Sequence, residues 1–220
     1  LWHGGTDDRA NPVNVAVVTS VSANIAGMAT LTIPNKAEYC LRHGYSLVVD
    51  NRPYEEAVAG VAWMTALFER FDVVWCLDAD AVITDMTTRI DTLDCLGPHV
   101  TVCEEGIVEW NLINCGSIVI RSTRESADLL IRISGNVDEW AGLQCGWQTW
   151  LANKRSKLGD TLTVAPLRSF NSCVWNRPAN ARDEIGGHWR HGDLVYHPCG
   201  VYPHDERLRW VRFALGEVRR

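Results

Sequence analysis

The chain has 220 residues, 46% hydrophobic and 22% charged, enough for one domain with a substantial core and ordinary for a globular protein. Its 27 acidic against 21 basic residues leave a net charge of −6, which argues against a non-specific nucleic-acid binder. No apolar run approaches the length needed to cross a bilayer, and no signal peptide is visible. The first residue is Leu1 rather than Met, which leaves room for a leader or anchor ahead of it. The compartment therefore stays open between the cytoplasm and the lumenal part of a longer anchored protein.

In chain order, Val13 to Thr19 (VNVAVVT) reads as a first buried strand. A helix is predicted over about Pro34 to His43, closed by Gly44 in the usual C-terminal role of glycine. Ser46 to Asp50 (SLVVD) reads as a second strand. Residues 55–71, apolar at Val61, Met64, Leu67, Phe68 and Phe71, fit an amphipathic helix. Five apolar residues, Val73 to Leu77, then form a third strand that runs into Asp78. Strand, helix, strand, helix, strand predicts right-handed crossovers and a parallel sheet.

Beyond Asp85 the apolar runs shorten to Val100–Cys103, Ser117–Arg121, Leu162–Ala165 and Leu194–His197, with helical stretches near Glu125–Ile133 and Trp147–Lys154 between them. The region from about Asn171 to Gly192 carries Pro, Gly, Asn and Arg and reads as loop. The expected organisation is one α/β domain over residues 1–220, a mostly parallel sheet flanked by helices with a loop-rich second half.

Asp78 and Asp80 are the most informative residues. Spaced i, i+2 on an extended backbone they would point to one side, and paired carboxylates at the carboxyl edge of a parallel sheet suit a hard divalent cation bridging phosphates. The plainer reading is that Asp80 or Asp85 caps a turn and Asp78 is a solvated strand end. Asn114 and Gly116 are expected just before an apolar strand, where glycine lets a backbone approach a ligand and asparagine can bond sugar hydroxyls. His197 ends a short strand ahead of Gly200 and is a competent third ligand for manganese or a similar ion. A rival zinc set of His188, His191, Cys199 and His204 matches no standard spacing. The eight cysteines include no CxxC pair, so their redox state stays open. Trp110, Trp140, Trp147, Trp175 and Trp189 fall in or beside expected loops, where flat rings suit sugars, whereas Trp63, Trp75 and Trp150 read as core.

Taken in order, these pieces resemble a family of GT-A glycosyltransferases, the retaining galactosyl- and xylosyltransferases of fungal mannan and plant xyloglucan synthesis. The resemblance runs from about residue 13 to 205. It passes through Asn35-Lys36, Tyr39-Cys40, His43-Gly44-Tyr45 and Trp63 and peaks at Val74–Met86 (VWCLDADAVITDM). It continues through Asn114-Cys115-Gly116-Ser117, Gln148-Thr149, and His197 with Gly200 and Pro203. It implies a GT-A fold and transfer of a sugar from a nucleotide-sugar, most often a UDP-linked hexose or pentose, to a carbohydrate or glycoprotein acceptor with the anomeric configuration kept. It implies manganese, or magnesium, held by Asp78, Asp80 and His197. It also places Thr19 and Ser20 beside the nucleotide, and Asp78, Ala79, Asn114, Gly116, Gln148 and Gly200 about the substrate. Gln148 and Asp80 are the residues it implies for catalysis. The chain departs from the family pattern at three places. Gly146 and Trp147 replace paired acids before Gln148, Val201 and Tyr202 stand where a basic residue reaches the diphosphate, and Thr65 replaces a lysine.

Two other classes compete. A haloacid-dehalogenase-type phosphohydrolase also feeds an apolar strand into Asp-x-Asp and uses the first Asp as nucleophile. It needs a lysine, for which Lys154 or Lys157 would serve, and a second acid pair, which Asp193 and Asp205 are too far apart to form. The third reading is a non-catalytic sugar-nucleotide-binding domain of the same fold.

Overall fold

The computed structural model describes residues 13–52, 61–107, 111–143, 146–173 and 189–220. Strands β1 (Val15–Ser20), β2 (Ser46–Asp50) and β3 (Val73–Leu77) pair in parallel around β1, as their continuous apolar runs predict. The sheet continues through the antiparallel β6 (Asn111–Arg121), then β5 (Val100–Ile107) and β7 (Leu162–Ala165), giving the order β2-β1-β3-β6-β5-β7. The two-residue period of the strands divides the core. Ala16, Val18 and Val74 join Leu129, Ile133, Trp150 and Leu151 on one face, while Val15, Val17, Val73, Trp75 and Leu77 join Tyr39, Ile83 and Met86 on the other. The first face is covered by α2 (Arg124–Gly135), the short α3 (Val137–Trp140) and α4 (Trp147–Leu158). A small second sheet, β4 (Val82–Ile83), β9 (Val195–His197) and β8 (Ser172–Cys173), and the helix α5 (His204–Gly216) complete the second half.

Several elements differ from the sequence reading for identifiable reasons. Helix α1 spans Ala26–His43 and runs through Pro34 rather than starting there. One stripe of Met28, Ala29, Thr32, Asn35, Lys36, Tyr39 and Cys40 is buried along its length, and that packing outweighs the bond the proline forfeits. The polar members of the stripe disguise it in the sequence. Gly44, at φ 73°, closes the helix as expected, its N–H reaching the Cys40 carbonyl. Residues 55–60 of the second expected helix lie outside the described residues, and Val61–Glu69 is a 3-10 helix, whose threefold repeat aligns Val61, Met64 and Leu67 against the core. Within the expected loop 171–192, Ser172–Cys173 forms β8, and 174–188 lie outside the described residues. Trp140 is a core residue whose indole N–H donates to the Ile133 carbonyl at 2.8 Å, and Trp189 packs against Tyr196 and Phe213. Trp110 and Trp175 lie outside the described residues.

Candidate metal centre

β3 ends at Leu77, so Asp78 and Asp80 lie in a turn, closed by the Ala81 N–H on the Asp78 carbonyl at 3.1 Å, and not on extended backbone. The turn separates their environments: the Asp78 side chain is 58% exposed, and that of Asp80 only 4%. Helix α1 holds the turn from behind. Thr32 Oγ1 donates to the Ala79 carbonyl, Lys36 Nζ to the Ala81 carbonyl at 2.8 Å, and Asn35 exchanges two bonds with the Ile83 backbone at 2.8 and 2.9 Å. Ala79 is therefore buried with its carbonyl turned into the protein. The plainer reading applies to Asp85, which accepts from the Thr87 N–H and from the Thr87 and Thr88 hydroxyls as a turn cap.

His197 arrives through the small sheet. β4 follows the acid turn directly and pairs antiparallel with β9, Val82 opposite Tyr196 and Ile83 opposite Val195, so the next residue of β9 lies back toward the acids. The imidazole Nε2 stands 3.4 Å from Asp78 Oδ2 and 3.5 Å from Asp80 Oδ1. Arg207, from α5, takes the other Asp80 oxygen, Oδ2, at 3.1 Å and anchors its own Nε on the Val201 carbonyl at 3.0 Å. Burial opposes charge on Asp80, but the His197 bond, Arg207 and Lys36 prevail and hold its carboxyl below the usual range. Burial likewise opposes a proton on His197. Its bonds to Asp78, Asp80 and Cys173 outweigh that and hold the imidazole well above its ordinary value.

Asn114 and Gly116 lie inside β6 rather than ahead of it, where the ladder with β5 jumps from Val102–Ile118 to Cys103–Asn114. The irregularity lets the Gly116 carbonyl accept from the Asp78 N–H at 2.8 Å and brings its Cα beside the His197 ring and the Asp78 carboxylate. A Cβ on Gly116 would stand 2.0 Å from His197 Cε1 and 2.9 Å from Asp78 Oδ2, so only glycine fits. Asn114 is buried and turned inward. Its Oδ1 accepts from the Gly116 N–H at 2.8 Å and from Asn171 Nδ2 at 2.7 Å, and its Nδ2 donates to Glu105 at 3.3 Å.

These bonds fix a tautomer. The Gly116 N–H can only donate, so Asn114 presents oxygen, and Asn171 must offer its NH2 there and its Oδ1 to His197 Nδ1, 3.1 Å away. Nδ1 then carries a hydrogen, and Nε2 faces the carboxylates that hold its proton, so a cation taking that proton's place would meet the Nε2 lone pair, the arrangement metal-binding histidines need. The donor atoms of Asp78, Asp80 and His197 all lie within 4.8 Å of one another. Two carboxylates and one oriented imidazole, with no Cβ to obstruct them, suit manganese or magnesium.

Of the other expected residues, Gln148 is tied to this strand, its Oε1 accepting from the Cys115 N–H at 2.8 Å between Asn114 and Gly116. Thr19 and Ser20 end β1 at the same edge of the sheet. Thr19 is buried, and Ser20 is exposed and donates to Asp50 at 3.3 Å. Gly200 lies in an exposed turn beyond His197, at φ 68°. Asn171, Arg207 and Glu105 escaped sequence reasoning, because their pairings are long-range and leave no spacing to read. Among the described residues the rival zinc set is not assembled: His191, Cys199 and His204 do not cluster, His191 sits by Glu217 at 3.5 Å, and His188 lies outside the described residues.

No protein-family model matches the sequence, and no curated protein matches it significantly. Solved structures do share its fold. A glycosyltransferase involved in glycosylation of the major capsid of PBCV-1 has a TM-score of 0.71 at 16% identity, covering 91% of this chain and 99% of that one. GlyE of Streptococcus pneumoniae has 0.60 at 13%, covering 92% and 61%. The galactosyltransferase LgtC, crystallised with donor and acceptor sugar analogs, has 0.53 at 13%, covering 91% and 95%. The chain thus has a GT-A glycosyltransferase fold, with the acid turn at the carboxyl edge of its parallel strands.

Proposed function

We propose that the chain is a metal-dependent glycosyltransferase that moves a hexose or pentose from a nucleotide-sugar, UDP-linked, to a carbohydrate or glycoprotein acceptor with retention. The observation that carries this reading is the convergence of Asp78, Asp80 and His197 within 4.8 Å at the nucleotide edge of such a fold. A bound divalent ion would act as a Lewis acid, neutralising charge on the departing diphosphate. The chain's own residues prepare that site. Arg207 fixes one Asp80 oxygen and leaves the other toward His197, and Asn171 turns the imidazole so that Nε2 faces the acids. Asp78, the exposed member, is the carboxylate nearest an arriving substrate. Gln148, which we assign to the transferred sugar, is oriented by its bond to Cys115. LgtC too has a glutamine in its active site, known from a glutamate mutant. Near the missing basic residue at Val201 and Tyr202, Arg207 crosses the Tyr202 ring at 4.9 Å, but it is buried and engaged by Asp80 and the Val201 carbonyl, which leaves the diphosphate charge to the metal. Of the residues the phosphohydrolase reading would use, Lys154 pairs with Glu139 at 3.1 Å and Asp193 with Arg168 at 2.6 Å.

Thermal unfolding with UDP and manganese tests this. Together at roughly 100 times their Kd they should raise Tm by roughly 5–10 °C, with little effect from either alone. Manganese-dependent release of sugar from one of a panel of UDP- and GDP-sugars, abolished by Asp78→Asn, then separates the enzyme from a non-catalytic binder. Turnover of a generic phosphomonoester with magnesium, lost in the same variant, would replace this reading with the phosphohydrolase.

A further inference from the structure

His197 has a second set of neighbours besides the acids. Cys173 is its register partner across the parallel β8–β9 ladder, and Cys199 follows it by two residues. The donor atoms of Cys173, His197 and Cys199 also all lie within 4.8 Å of one another. We propose that these three residues form a thiophilic site for a zinc-class ion, and that filling it empties the acid site, because both sets depend on His197.

The two sets differ in chemistry. Two carboxylates and an imidazole favour hard or borderline ions such as magnesium and manganese, whereas two thiolates and an imidazole favour zinc. Donor atoms around a tetrahedral zinc stand roughly 3.5 Å apart, so closing the thiol set takes side-chain movement on the order of 1 Å. Each thiol gives up its proton to the solvent as it binds, and three protein ligands leave a fourth position for water. Cys173 and His197 are each 2% exposed, and the half-buried Cys199 is the way in. With Nδ1 engaged by Asn171, the imidazole has one lone pair to offer, so an ion held with the thiols and an ion held with the acids exclude each other. Zinc is thereby an antagonist of the manganese site that acts through a shared ligand.

Cobalt(II), a spectroscopic stand-in for zinc, tests this on the metal-free full chain. The expected result is a near-ultraviolet thiolate-to-cobalt band that saturates one-to-one and is bleached by zinc. Cobalt affinity should fall about 100-fold in Cys199→Ser and in Cys173→Ser. Free manganese followed by electron paramagnetic resonance should rise when zinc is added to the parent chain but not to Cys199→Ser. Absence of the band in the parent, parent-like cobalt affinity in Cys199→Ser, or simultaneous retention of zinc and manganese would overturn the proposal. Cys173 is buried and its variant can misfold, but the parent spectrum and Cys199→Ser decide the matter without it. Asp78→Asn keeps this test distinct from the glycosyltransferase reading, since it should lose manganese and retain the thiolate band.

Discussion

The helix side and the imidazole side of the acid turn each bury a basic group beside the same two aspartates, yet their protons are driven in opposite directions. On the helix side, Lys36 points its Nζ at the carbonyls of Ala79 and Ala81, and burial pushes it down to about 7 against the more distant pull of Asp80 and Asp78. On the other side, His197 meets both carboxylates directly, and those contacts hold its proton on. The difference teaches what each side is for. Helix α1 grips the backbone of the turn and sets its shape, with no need for a charge. The imidazole faces the carboxylates with an exchangeable proton, at the position where a cation would replace it.

The largest effect should come from breaking the helix side. Asn35→Ala removes both bonds to Ile83 from a buried position, and lost stability should be on the order of 2–4 kcal/mol by urea denaturation. A loss under about 0.5 kcal/mol would mean that α1 does not brace the turn. Breaking the other side should spare the fold and damage binding. The Cβ of Gly116→Ala has to displace the His197 ring, so manganese affinity by calorimetry should drop about 100-fold, about 2.7 kcal/mol, with the circular dichroism spectrum kept. Equal manganese binding by parent and variant would show that the ring is not a ligand.

The same contrast explains how much was legible in the sequence. The strands and the acid pair stand out because a buried run of Val73 to Leu77 ending in two aspartates is a local pattern. Gly116 was visible as a residue type, but its reason was not, since the ring it accommodates comes from position 197. The start of α1 was hidden because Thr32, Asn35 and Lys36 face the interior to bond backbone carbonyls, which a hydrophobic periodicity cannot report. Asn171 and Arg207 were invisible for a related reason. Their partners, Asn114, His197 and Asp80, are distant in the chain, and only the folded sheet brings them together.

The opposed protons also make a pH signature that manganese should rewrite. Lys36 is charged in the unfolded chain up to about 10.5 and neutral in the native chain above about 7, so the unfolded state binds the extra proton and stability rises with pH through that window. His197 runs the other way. Its native value is raised above 6.5, so its contribution is full below 6.5 and is lost as pH climbs through the native value. In the metal-free protein the two slopes oppose each other just above pH 7, and stability by urea denaturation should be nearly flat there. Saturating manganese takes the His197 proton in advance and leaves the Lys36 slope alone, a rise of about 1.4 kcal/mol per pH unit. The rise should end near pH 9, where the unfolded chain begins to ionise the Cys40 and Cys76 thiols that burial pushes up to about 12 in the native state. Identical pH profiles with and without manganese would mean that the ion does not displace the imidazole proton, and the acid turn would then have to bind it without His197.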